Sequence, residues 1–271
     1  MMKKNLLLIL MCFVCGLVYA HDGLNFRNLD VKSGISDNYV RSVLRDRYGF
    51  MWFATLNGLN RYDGYQFKKY TTTQLGAYNN DIESIAEDAA GNIWIKGPVS
   101  YYIYDREQDK LENKIQPILN KYGITGEVSY LTVDKDYNLW CTVMDTLFHY
   151  DFTKNKLHTF QLPGKEKMQQ VVCRRSCAYL LFSNGEIARI DSNFQQIRPE
   201  TRRTLSSGLQ YNLYIDTVDR LWFYASHASG LQCYDTNQKQ WIDYIGGQEL
   251  TDALITAVMD DGDGNLWIGT D

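Results

Sequence analysis

The fold this sequence predicts is all-β, a β-propeller built of four-stranded antiparallel blades, and three observations predict it. Tryptophan recurs at Trp52, Trp94, Trp140, Trp222 and Trp267, each with an aspartate six residues upstream: Asp46, Asp88, Asp134, Asp216 and Asp261. The steps between the tryptophans are 42, 46, 82 and 45 residues, the third being two periods with one degenerate copy inside it. A Tyr-Asp pair follows the first three tryptophans at ten residues (Tyr62-Asp63, Tyr104-Asp105, Tyr150-Asp151) and the fourth at twelve (Tyr234-Asp235). Units of about 40–50 residues, each holding several short strands, are the period of a propeller.

Each unit reads as one blade. In the clearest copy, Ile82, Ile85, Ile93 and Ile95 flank a turn running from Asp88 to Asn92. Gly91 in that turn supplies the positive φ that a short hairpin loop needs. Gly49 and Gly264 recur at the same place, while Tyr137 and Asp219 stand there in two other copies. The next strand carries the Trp, a third ends in Tyr-Asp, and a fourth, outer strand carries an apolar anchor: Phe67, Leu111, Leu157, Phe194 or Trp241.

Aligned this way, copies begin near residues 34, 78, 126, 169, 208 and 251. The degenerate copy spans 171–191: it keeps Asn184-Gly185, lacks the Asp–Gly–Trp element, and has Tyr179 or Leu180 in the Trp place. The expectation is therefore an incomplete ring of about five and a half blades out of seven, with the sixth copy stopping within a blade and roughly 60 further residues needed at this period. Phe26 to Leu29 precede the first repeat and are placed to act as a closing strand.

The first twenty residues fall outside the repeat. Lys3 and Lys4 precede a mostly apolar stretch, Asn5 to Leu17, and Val18-Tyr19-Ala20 is a small-residue cleavage site, so 1–20 reads as a secretory signal peptide and 21–271 as the propeller domain. Removing it leaves 26 bases against 32 acids, a net charge of −6. Such a balance gives no electrostatic footprint for nucleic acid or an anionic membrane surface. Twenty tyrosines suit a chain of half-buried strands. Four cysteines remain after position 20, too few for a disulfide scaffold. Cys173 and Cys177 can meet across a tight turn or stand as separate residues, whereas Cys141 and Cys233 adjoin a repeat Trp and Tyr and read as strand residues.

The segment from 26 to 70 resembles the regulator-propeller repeat of hybrid two-component sensors in polysaccharide-degrading bacteria. The residues that carry the resemblance are Phe26-Arg27, Gly34-Ile35-Ser36, Asp46, Gly49 and Trp52, the run Gly58-Leu59-Asn60-Arg61-Tyr62-Asp63-Gly64, and Phe67 with Tyr70. It is clear again over 81–105 and 255–270 and weaker between. The resemblance implies a periplasmic sensor region that opens a longer, inner-membrane-anchored protein acting as a homodimer. A second propeller, a β-sandwich, a membrane span, a histidine kinase, a receiver and a helix-turn-helix module would follow downstream. It implies a small ligand derived from a glycan, and this segment itself would contact no nucleic acid. No phosphoacceptor helix, nucleotide-binding segment or receiver pocket is legible in these residues, so no enzymatic activity is expected of them.

Candidate sites are sought where the pattern breaks, because loops vary and carry binding while blades repeat. The basic pairs Arg174-Arg175 and Arg202-Arg203 suit an acidic or sulfated sugar, and His227 lies in a lengthened loop, so these five are the candidate ligand residues. No catalytic residue, metal site or cofactor is expected. Asp261-Gly262-Asp263-Gly264-Asn265 looks like the start of a calcium loop, yet Leu266 holds the position where that loop needs glycine, so it reads as the repeat turn. His21, His149, His158 and His227 show no metal-ligand spacing. The periodic acids read as turn residues. Two other readings stay open: a propeller enzyme acting on polysaccharide fragments through unrepeated acids, and a purely structural scaffold.

Overall fold

The computed structural model describes residues 27–271 except 165, 175–176, 192, 207–208, 227, 229, 243–253 and 271. The signal-peptide reading of 1–20 lies outside the described residues, as do Phe26, Arg175 and His227.

Five four-stranded meanders and one two-stranded hairpin follow in chain order. The first blade is β1 (Val40–Arg45), β2 (Met51–Thr55), β3 (Gly58–Tyr62) and β4 (Phe67–Tyr70). The second is β5 (Ser84–Glu87), β6 (Ile93–Lys96), β7 (Tyr101–Asp105) and β8 (Lys110–Glu112). The third is β9 (Val128–Val133), β10 (Leu139–Val143), β11 (Thr146–Asp151) and β12 (Lys156–Gln161). The fourth is β13 (Met168–Arg174), β14 (Cys177–Phe182), β15 (Glu186–Ile190) and β16 (Ile197–Arg202). The fifth is β17 (Tyr211–Ile215), β18 (Arg220–Ala225), β19 (Leu231–Asp235) and β20 (Gln240–Ile242), and the hairpin is β21 (Ile255–Asp260) with β22 (Leu266–Thr270).

Every strand pair is antiparallel, and the sheet boundaries fall in phase with the tryptophans. First strands of successive blades abut one another, β1 with β5 and onward to β17, which makes them the innermost strands. Among the described residues the one α-helix is α1 (Gln116–Lys121), a short helix between the second and third blades that opens at Pro117 and buries Leu119. Residues 27–30 form no strand.

The repeated aspartate and tryptophan are one physical device. In the third blade, Asp134 Oδ1 accepts the turn amides of Asp136 and Asn138, both at 2.9 Å, while Oδ2 accepts the indole Nε1 of Trp140 at 2.8 Å. The same indole bond closes Asp46–Trp52 at 2.9 Å, Asp88–Trp94 at 2.8 Å, Asp216–Trp222 at 2.8 Å and Asp261–Trp267 at 3.2 Å. The carboxylate thus shapes the hairpin turn and satisfies the one polar group of a buried indole. The turns run as expected: Gly49, Gly91 and Gly264 lie at φ 90, 90 and 100°, and Tyr137 and Asp219 are forced to 63 and 65° in their places.

The Tyr-Asp signature does the same for the third turn of the four blades that carry it. Asp105 Oδ1 accepts the amides of Glu107 and Gln108 at 2.9 and 3.0 Å, and Asp63, Asp151 and Asp235 cap their own turns likewise. The Tyr104 hydroxyl donates to Asp109 at 2.5 Å, and Tyr150 donates to Asn155 in the equivalent place.

Side chains alternate along each strand, so every blade has two faces and each core is shared between neighbours. Trp52 packs among Ile82, Ile93 and Tyr104 of the second blade; Trp94 packs with Leu131 and Leu139 of the third; Trp140 packs with Leu180 and Phe182 of the fourth. In the fourth blade Tyr179, rather than Leu180, takes the Trp place, since it faces Leu213 and Phe223 of the next blade. Phe194 is not a fourth-strand anchor: it lies in the β15–β16 turn at φ 51°. Cys173 pairs in register with Ala178 and Cys177 with Arg174, so the two cysteines point to opposite faces of the blade and both thiols are free.

Removing a turn carboxylate should separate the buried device from the exposed one. Asp88→Ala strands the fully buried indole N–H of Trp94 and uncaps the turn, and should lower stability by about 2–4 kcal/mol in denaturant titrations. Asp261→Ala, beside a Trp267 that is 62% exposed, should cost under ~1 kcal/mol. Gly91→Val should cost more than the ~1 kcal/mol of a propensity change, because a β-branched residue fits poorly at positive φ. Its new Cβ would also come within 3.1 Å of the Arg47 guanidinium.

Candidate functional site

The structure does not gather the candidate arginines. Arg174 closes β13 and reaches into the fifth blade, its Nε donating to Asp219 Oδ1 at 3.0 Å and its Nη2 to the Thr217 carbonyl. It is an inter-blade clasp. Arg202 is exposed at the far end of β16, cross-strand from Glu186. Arg203 donates from Nε to Gln232 Oε1 at 2.8 Å and lies 5.1 Å above the Trp241 ring. Because β13 ends at one rim of the blade and β16 at the other, Arg174 is separated from Arg202 and Arg203 by the length of the blade. Arg175 and His227 lie outside the described residues.

What the broken repeat does produce is a cleft between the third and fourth blades. In the third blade five residues separate the paired Val133 and Leu139. In the fourth only two separate Arg174 and Cys177, so this turn is three residues shorter. At the interface of the first and second blades the corresponding space is filled by ion pairs: Arg47–Glu87 at 2.8 Å, with Arg106 3.1 Å from both Glu87 and Asp46. Register puts Cys173 where Glu87 stands. The result is a cleft of 490 Å³.

Its walls come from three turns and one cross-strand stack. Asp134 to Asn138 line one side, Asp151, Thr153 and Lys154 the base, and Cys173, Cys177, Ala178 and Phe194 the other side. His149 pairs in register with Trp140, and the two rings stack at 4.0 Å and 21°. Phe194 also lies against the imidazole, at 4.7 Å and 18°, with its centroid 6.2 Å from that of Trp140, so the three rings form a cluster. His149 is 1% exposed, yet neither ring nitrogen has a hydrogen-bond partner, and its nearest carboxylate oxygen, Asp134 Oδ2, is 3.9 Å from Nε2. His158, its cross-strand neighbour, leaves Nε2 unpartnered as well. Burial, reinforced by His158, holds the His149 imidazole neutral down to about pH 4. Burial also pushes the Asp134 carboxyl above the usual range and the Cys173 thiol far above its own. Tyr137 marks the rim, 57% exposed and held at positive φ, a costly backbone for a bulky residue.

A second, smaller pocket of 150 Å³ abuts the cleft on the side of the fifth blade, sharing Asp134, Lys135, Trp140 and Cys173 with it. Among the described residues no group of three or more His, Cys, Asp or Glu side chains is disposed to hold a metal ion, and no helix is long and apolar enough to cross a membrane. Sequence reasoning passed over His149, His158 and Phe194. The only available signal was that His149 immediately precedes the Tyr-Asp pair, the position that lies across from the repeat Trp.

Comparison with known proteins agrees with this architecture. Residues 34–57 and 249–271 match the two-component regulator propeller family, so the chain carries repeats of that family. No curated protein matches significantly. The extracellular domain of the hybrid two component system BT3049 from B. thetaiotaomicron superposes with a TM-score of 0.61 at 21% identity, over 90% of this chain and 34% of that one. That of BT4673 from the same organism gives 0.61 at 19% identity, over 93% and 35%. This chain therefore spans about a third of the length of those two domains. A catalytically inactive virginiamycin B lyase from Staphylococcus aureus also gives 0.61, at 16% identity over 93% of this chain and 83% of the lyase. At these identities the shared property is the propeller fold.

The unpartnered imidazole carries a pH signature. Its folded pKa of about 4 lies below the 6.5 of an unfolded histidine, so between those values the unfolded state binds the proton and the folded state does not. Stability should fall as pH drops from 6.5 to 4 and level off below. His149→Phe, which keeps the stack but cannot titrate, should flatten that part of the curve, read as denaturation midpoint against pH.

Proposed function

We propose that this chain is a ligand-sensing propeller of a hybrid two-component sensor. In this reading residues 1–20 direct export to the periplasm, and residues 21–271 belong to a propeller domain that recognises a small glycan-derived ligand. The observation that carries the reading is the break in the repeat. The one blade that lacks the Asp–Trp pair borders a cleft lined by a buried, unpartnered histidine clustered with two aromatic rings. A stacked aromatic wall with a few convergent polar groups is how concave sites bind small polar ligands.

Binding, rather than catalysis, fits the state of the carboxylates. Asp134 is engaged by Trp140 and two turn amides, and Asp151 by Lys154 at 3.1 Å and the Lys154 amide at 2.9 Å, which leaves neither poised as an acid or a nucleophile. The cleft also revises the kind of sugar favoured. Three aspartates line it against two lysines, one of which is paired, so it suits a neutral sugar better than the acidic or sulfated one that an arginine cluster would have selected. The signal would pass to downstream propeller, sandwich and kinase domains of an inner-membrane-anchored homodimer.

The test is calorimetric titration of the chain with oligosaccharide fractions from enzymatic digests of neutral and acidic polysaccharides. A neutral fraction should bind, and Phe194→Ala should weaken it about tenfold by removing one stacking face, with the melting curve unchanged. Binding of equal strength in the Phe194→Ala and His149→Phe variants would remove the cleft from consideration.

A further inference from the structure

The two chambers at the interface of the third and fourth blades differ in chemistry. The outer one is lined by Asp134, Asp136, Asp151, Thr153 and the buried His149. The inner one, 150 Å³, is walled by Val133, Val171, Val172, Ile215 and the ring of Tyr214. Trp140, Asp134, Lys135 and Cys173 line both, so the two pockets are adjacent. Lys135 stands at this junction with its ammonium 5.4 Å above the Tyr214 ring.

We infer that the ligand class is a glycoside, with a hydroxyl-rich sugar in the outer chamber and a single apolar ring, of the size of a phenyl group, in the inner pocket. This rests on the reading of the cleft as the sensing site. The aspartates accept and the Thr153 hydroxyl both donates and accepts, which matches hydroxyl groups that do both. Sugar hydroxyls pushed against valine and isoleucine would lose water without gaining partners, so the inner pocket selects against a purely saccharide ligand. A mostly apolar pocket of about 150 Å³ has room for a ring the size of benzene. The flanking faces of Trp140 and Tyr214 are suited to a ring by stacked or edge contact.

The experiment compares methyl and phenyl β-glycosides of glucose, galactose, mannose and xylose, titrated into the whole chain by calorimetry. For at least one sugar the phenyl glycoside should bind roughly tenfold tighter or better than its methyl counterpart, the gain expected for burying an aromatic ring. Val172→Phe, which fills the inner pocket alone, should bring the phenyl glycoside down to the methyl value; Val172→Leu, a milder filling for the case that the larger residue unfolds the blade, should do so in part. Phe194→Ala should weaken both. Equal affinities for methyl and phenyl glycosides, both weakened by Phe194→Ala, would overturn the apolar arm while leaving the cleft as the sensing site. Affinities unmoved by any of these variants, or no binding by either series, would overturn the glycoside and the cleft together.

Discussion

A hydrogen bond from a buried indole to an aspartate six residues upstream holds four of the five four-stranded blades in shape, and the rest of the structure is arranged around it. A tryptophan gives the largest apolar surface a strand can offer its neighbour, but it carries one N–H that must be satisfied once water is gone. The aspartate at the start of the preceding turn is close enough to accept it and has a second oxygen left for the turn amides. Neither group would be tolerated at 0 to 4% exposure without the other, as at Asp46–Trp52 and Asp88–Trp94. The bond links the hairpin's local geometry to the packing of blade on blade, and so both recur with one period.

That coupling explains why the blades are not separate domains. Each strand sends alternate residues to opposite faces, so the cluster around Trp94 belongs to the second and third blades at once, and the cluster around Trp140 to the third and fourth. Polar contacts follow the same rule: Arg174 ties the fourth blade to the β17–β18 turn, and Tyr214 bonds Asp260 across the next interface at 2.9 Å. A change in one blade is therefore felt at an interface, not within a sheet.

The fourth blade shows what happens when the device is dropped. Tyr179 still fills the packing role, but with no indole N–H to satisfy there is no need for the aspartate or for the five-residue turn that presents it. Among the described residues, His149 and Trp140 have no counterpart of the ion pairs that close the first interface, and a cleft lies there instead. Polar groups in the cleft are buried without partners, a state that costs free energy and that a bound hydroxyl-bearing ligand would relieve.

The sequence by itself determined the blade count, the phase of the sheets, the turn glycines and the place of the irregular copy, because all of these depend on spacing along one chain and repeat with the period. It also marked, through the loss of Asp–Gly–Trp near 171–191, the blade that borders the cleft. The particular residues were not legible. Arg174 and Arg202 read as one basic surface from their closeness in sequence, yet an antiparallel meander sends successive strand ends to opposite rims. His149, His158 and Phe194 look like ordinary strand or turn residues. They form a site only because alternation aims the first two at the face that meets the next blade, while the β15–β16 turn of that blade brings Phe194 over them. Register within a blade is written in the local pattern; what faces what across two blades is decided by packing, which no spacing in the sequence encodes.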